Sequence, residues 1–198
     1  MCRFGTLIFV LAIVVALLAG RSCVAAVQIG DQGPNWAALA GVDGKPHDLG
    51  DYKESKVVVL VFTCNTCPVA RAYEERLVAL QRDYQAKGVQ VVAIGVNHKP
   101  GDQLDAMKER AAEKGFNYPY LYDASQASAR DYGARVTPHV FVLDQQRKIA
   151  YVGAVDDNMK AEKVTKKYLR NAIDALLAGK KPSPAQTEAF GCGVKYEQ

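Results

Sequence analysis

Cysteine is sparse in this chain. Five Cys among 198 residues are too few to staple a small disulfide framework, so a packed apolar core has to carry the fold. Histidine is rarer still, with three, which leaves little for a histidine-rich metal centre. The formal net charge is only +4, far from the basic excess of a nucleic-acid binder. Only one long apolar run occurs, and it lies at the start, which excludes a multi-span membrane protein. Hydrophobic residues make up 49% and charged residues 23%, ordinary globular usage with room for a single domain.

The apolar run, Leu7 to Ala19, has the shape of an export signal. Arg3 precedes it, Gly20 ends it, and Val24-Ala25-Ala26 supply small residues for cleavage. Its 13 residues fall short of the roughly 20 a membrane span needs, although an uncleaved anchor is the competing reading. The expected organisation is a signal peptide over 1–26, a domain over 27–179 and a C-terminal tail over 180–198. The destination is then periplasmic or otherwise extracytoplasmic, with no stable membrane span once the signal is cleaved. Cys2 and Cys23 leave with the signal, and Cys64, Cys67 and Cys192 stay in a compartment where disulfides persist. An odd number of thiols means that at least one is free, transient or intermolecular.

Downstream, strand and helix patterns alternate. Val57–Phe62 is six apolar residues, four of them Val, which suits a strand buried on both faces. Val69, Tyr73, Leu77, Leu80 and Tyr84 then mark one face of a helix, with Gly88 beyond its end. Val89–Val96 is a second buried strand. Asp102 is positioned to cap a helix carrying Leu104, Met107 and Ala111, and Asp123 a shorter one ending at Gly133. Tyr118, Tyr120 and Tyr122 alternate at strand period as packing residues. Val140–Leu143 and Ile149–Val152 form a hairpin, and a last helix is expected through Val164, Tyr168, Ala172 and Leu176. Glu162 and Lys166 pair on that helix, and Asp156-Asp157 are placed to cap it. Trp36 to His47 reads as a small hairpin around Asp43-Gly44. This order predicts an α/β fold, a central mixed sheet flanked by helices with an N-terminal hairpin extension.

Chemistry concentrates where the first buried strand meets its helix, at Thr63-Cys64-Asn65-Thr66-Cys67-Pro68. Unpaired amides and the positive end of the helix dipole favour a thiolate there, so Cys64 is expected to be an exposed, acidic nucleophile. Cys67, one turn in, is expected to be the resolving thiol, and Pro68 is tolerated in the first turn. A CxxC is also half a zinc site, but the second half is missing: His47, His98 and His139 are scattered and Cys192 is alone. The expectation is redox chemistry with no cofactor and no metal. Thr137-Pro138, before the third strand, admits either a cis bond or a plain strand-initiating proline.

CxxC after a strand, with Thr-Pro before a later one, resembles the thioredoxin superfamily over about residues 28–178. Gly33-Pro34-Asn35-Trp36 with Asp43-Gly44-Lys45 is similar to the leading hairpin of its redoxin branch, which includes peroxiredoxins and cytochrome-maturation thioredoxins. Gly191-Cys192-Gly193-Val194-Lys195 resembles the tail of a peroxiredoxin-like group of that branch. The resemblance implies that the Thr137-Pro138 bond is cis, that Pro138 flanks Cys64, and that the Thr137 backbone holds an extended substrate. It implies thiol–disulfide exchange with a disulfide-bearing protein or a small thiol, and an unidentified electron donor.

The departures from the family bear on mechanism. With Cys67 at the peroxidatic position, Leu60, Cys64 and Pro138 stand where peroxiredoxins carry Pro, Thr and Arg, which argues against their mechanism while leaving other thiol peroxidases open. Val58 replaces the buried Asp of thioredoxins and Thr63 their Trp, so Cys67 lacks its usual proton acceptor and is expected to ionise reluctantly. Cys192 is a candidate additional redox thiol. His139 would join Cys64 and Cys67 in the last-ranked reading, a Cu(I)-binding module, which lacks the CxxxC of copper chaperones of this fold. Arg135 is a candidate for the site rim.

Overall fold

The computed structural model describes residues 27–197, so the expected signal peptide lies outside the described residues. Among the described residues, no helix is long and apolar enough to cross a membrane. The hairpin strands are β1 (Leu39–Gly41) and β2 (Pro46–His47), and the central strand is β3 (Val57–Thr63). Then come α1 (Pro68–Tyr84), β4 (Val89–Gly95), α2 (Leu104–Lys114), β5 (Tyr120–Tyr122) and α3 (Ala127–Tyr132). The chain ends with β6 (Val136–Thr137), β7 (His139–Leu143), β8 (Ile149–Gly153), α4 (Tyr168–Leu177) and β9 (Cys192–Gly193).

Seven strands form one sheet in the order β2-β1-β5-β4-β3-β7-β8. β3 runs parallel to β4 and antiparallel to β7, so the sheet is mixed. The leading hairpin joins the same sheet through β1 and β5. β3 is buried on both faces because helices cover both. Val57, Val59 and Val61 meet Tyr73, Leu77 and Leu80 of α1 and Ile173 of α4. Val58, Leu60 and Phe62 meet Trp36, Tyr52, Ala129 and Tyr132 on the other side. At roughly 25 cal/mol per Å² of buried apolar area, this double layer supplies the main stabilisation of the domain. It also makes the end of β3, where Cys64 follows, a rigid platform.

Three local expectations are corrected. The last helix starts at Tyr168, because the Asp157 carboxylate takes the backbone N–H groups of Thr165 (2.9 Å) and Lys166 (3.0 Å) and holds them extended. Glu162 lies in a separate 3-10 turn, so it makes no helical pair with Lys166. Asp156 turns to α1 instead of capping, accepting from Tyr73 (3.0 Å) and Arg76 (2.5 Å).

Residues beyond 179 follow the body of the domain. Ala185 and Thr187 exchange backbone hydrogen bonds with Val152 of β8. The Phe190 ring packs 6.2 Å from Tyr73, and β9 then pairs antiparallel with β6, Thr137 opposite Cys192. Asn97 and Gln126 hold the backbone of Lys195, at 3.0 and 2.8 Å.

Candidate functional site

β3 delivers Cys64 to the mouth of α1, and Cys67 is the residue that caps that helix. Pro68 begins the helix, where its missing N–H costs nothing. The Cys67 Sγ accepts the Ala70 N–H at 3.4 Å. From across the cleft, Thr137 brings its hydroxyl to 3.3 Å from the Cys64 Sγ and its carbonyl to 3.1 Å from the Cys67 Sγ. The Thr137-Pro138 peptide is cis. Cys64, Cys67 and Ala70 form one small buried cluster, with Cys192 packed against it. All three thiols are free.

The expected exposure of Cys64 is not found. Cys64 is 3% exposed and Cys67 2%, and Cys192 lies over them on β9. The expected location of the charge is corrected as well. The two neighbouring thiols shift in opposite directions, Cys67 down and Cys64 up. The adjacent Cys64 thiol lowers Cys67 to about 4 against the cost of burial, aided by Cys192 and by the Ala70 N–H. Cys64 is pushed up by the adjacent Cys67, then by burial, with Asp102 adding a nearby negative charge. The groups that lower Cys67 are thus the Ala70 N–H at the helix mouth and the neighbouring thiols, with no carboxylate among them.

Two polar residues that the sequence left out of the site support the CxxC loop. Asp102 does not cap α2. It is 1% exposed, and its two oxygens take the Thr66 N–H (2.8 Å) and the Thr66 hydroxyl (2.7 Å). Tyr120 donates its hydroxyl to Asn65 Oδ1 at 2.9 Å, a task beyond the packing expected of it. Asp102→Ala leaves both Thr66 groups without their partner. We expect a loss of about 1–3 kcal/mol in chemical denaturation of the reduced protein, together with a downward shift of Cys64. An unchanged midpoint rules out a supporting role for Asp102.

His139 accepts the Arg135 N–H through Nδ1 at 3.3 Å, and its ring lies 4.6 Å from Phe141. Burial and the nearby Arg135 lower it to about 4, so it is neutral at ordinary pH. Among the described residues, no group of three His, Cys, Asp or Glu is arranged to hold a metal ion.

Residues 28–169 match the model of the Redoxin family. Two solved structures cover most of the chain. A hypothetical protein from Sinorhizobium meliloti is 32% identical over 87% of this chain and 97% of its own, with a TM-score of 0.82. An uncharacterized conserved protein from Geobacillus kaustophilus is 37% identical over 86% and 93%, with a TM-score of 0.80. A Chlorobium tepidum protein assigned as a thiol:disulfide interchange protein DsbE is 31% identical over 64% of this chain and 85% of its own, with a TM-score of 0.57. No curated protein matches the chain.

Proposed function

We propose, from the premise that this chain belongs to the redoxin family, that it is a thiol–disulfide oxidoreductase working through the Cys64/Cys67 couple. The observation that carries this reading is the packing of Cys64 against Cys67 at the mouth of α1, with Thr137 in contact with both sulfurs. Transfer of the Cys64 proton to the Cys67 thiolate leaves the charge on Cys64, where the Thr137 hydroxyl can donate to it. The Cys64 thiolate attacks one sulfur of a substrate disulfide. That S–S bond breaks, one half leaves as a thiolate and takes a proton, and the other half stays on Cys64. Cys67, acidic enough to be ionised at neutral pH, then attacks the Cys64 Sγ and releases the second half. The substrate gains two electrons, the couple becomes a disulfide, and an external thiol donor restores it.

The Thr137-Pro138 segment is the proposed docking edge for an extended substrate once β9 moves off it. Substrates are disulfide-bearing proteins or small thiols, with no nucleic acid involved. Residues 1–26 are proposed to carry the chain out of the cytoplasm, and residues 27–179 to form the catalytic domain. The acidity of Cys67 favours one second reading, a thiol peroxidase in which this sulfur attacks peroxide and is resolved by a neighbouring thiol.

The test is catalysed reduction of a model protein disulfide by a small thiol, with mass mapping of the oxidised chain. Turnover together with a Cys64–Cys67 disulfide is expected. Peroxide consumption without protein-disulfide turnover favours the second reading, and neither activity ends both.

A further inference from the structure

We propose that Cys192 is a third redox thiol, which exchanges with the Cys64–Cys67 disulfide to give a Cys67–Cys192 disulfide inside the same chain. This rests on the functional reading above, because that reading supplies the disulfide to be exchanged. The placement of Cys192 is built rather than incidental. β9 pairs with β6, and the Val194 N–H donates to the Arg135 carbonyl at 2.9 Å. The segment is anchored upstream by the Thr187–Val152 backbone bond and downstream by Asn97 and Gln126. Gly191 passes so close to the Thr137-Pro138 peptide that a Cβ there overlaps the Thr137 carbonyl. The same register sets Cys192 opposite Thr137 and packs it against the Cys64–Cys67 cluster.

The exchange balances within the protein. The Cys192 thiol gives its proton to solvent, and its thiolate attacks the Cys67 Sγ. The Cys64–Cys67 bond breaks, the Cys67–Cys192 bond forms, and Cys64 leaves as a thiolate that takes up a proton. No electron enters or leaves. In the dithiol state, Cys67 holds the Cys192 thiol protonated, through the hydrogen bond between them and through its charge. Oxidation of Cys67 removes both, which leaves burial raising the Cys192 thiol and Lys195 and Lys99 lowering it. The Cys192 thiol is thus easier to ionise once the first disulfide has formed.

Thr137 links the relay to the substrate edge. Its hydroxyl lies 3.4 Å from the Cys192 carbonyl and 3.3 Å from the Cys64 Sγ, and it has one proton to give. While Cys64 is protonated, the hydroxyl holds β9. When Cys64 is a thiolate, the hydroxyl turns to it and β9 loses that bond. Cys192, on the partly exposed β9, then offers the electron donor a sulfur nearer to solvent than Cys64 or Cys67.

The experiment equilibrates the full chain with oxidised and reduced glutathione, quenches with acid, alkylates free thiols and maps disulfides by peptide mass. In the wild type, both the Cys64–Cys67 and the Cys67–Cys192 disulfides are expected. Cys64→Ser is expected to form Cys67–Cys192, at the roughly millimolar effective concentration of a tethered thiol. Gly191→Ala, which keeps all three thiols, is expected to cut the Cys67–Cys192 fraction about tenfold while Cys64–Cys67 persists. If Cys67 carries glutathione in Cys64→Ser while Cys192 is alkylated, and the wild type yields only Cys64–Cys67, the relay is overturned and the functional reading stands. If the wild type yields no Cys64–Cys67 disulfide, the functional reading falls and takes the exchange with it.

Discussion

Cys64→Ser and Cys67→Ser are each expected to reduce protein-disulfide turnover to the level of the small thiol alone, and by different routes. Cys64→Ser removes the sulfur proposed to receive the substrate, so no mixed disulfide with substrate forms at that position. Cys67→Ser keeps that sulfur and removes the one that resolves it, so the substrate half stays linked to Cys64 and accumulates. Removing either member abolishes a function that needs both, so the two losses do not add in the double variant. Mass spectrometry of the acid-quenched reaction separates the routes: a Cys64-linked adduct in Cys67→Ser and none in Cys64→Ser. Turnover retained in Cys64→Ser and lost in Cys67→Ser, with a substrate adduct on Cys67, inverts the proposed roles.

The reduced protein is expected to keep thiolate ultraviolet absorbance from neutral pH down to about 4, where Cys67 takes its proton. The oxidised protein, with that sulfur in a disulfide, shows none of this signal. The folded value of Cys67 lies below that of the unfolded chain. Its contribution to stability is therefore fully present above about 8.5 and lost as pH falls through about 4. Between these limits the unfolded chain binds the proton that the folded chain has released, so stability rises with pH. Cys64 is shifted the other way. Its contribution is present below the ordinary thiol range and lost as pH rises through the folded value. Denaturation midpoints of the reduced wild type should thus climb with pH from about 4, and those of Cys67→Ser should not share the climb. Thiolate absorbance appearing only in the ordinary thiol range contradicts this assignment of charge.

The fold was legible because the hydrophobic periods are strong. Val57–Phe62, the face from Val69 to Tyr84, and the turn at Asp43-Gly44 all sit in the elements their spacing implies. The site was legible in its sulfurs and in Thr137-Pro138, which are local motifs. Its polar support was not. Asp102 carries a helix-cap signal that competes with Thr66, 36 positions away, and only the fold decides between them. The acidity of Cys67 was misread because the missing buried Asp looked decisive, whereas Ala70, Cys64 and Cys192 share that task. A Gly-flanked Cys192 looks like tail from its neighbours alone. Its pairing with Thr137 depends on register at the far side of the domain.

The two ends of the seven-stranded sheet differ in construction and agree in effect. One end is β2, two residues long and starting at Pro46, which has no N–H to offer. At the other, Ala185 and Thr187 already occupy the hydrogen-bonding groups of Val152. A foreign strand finds no ladder to extend at either margin. The described sheet thereby resists edge-to-edge association between copies of the chain.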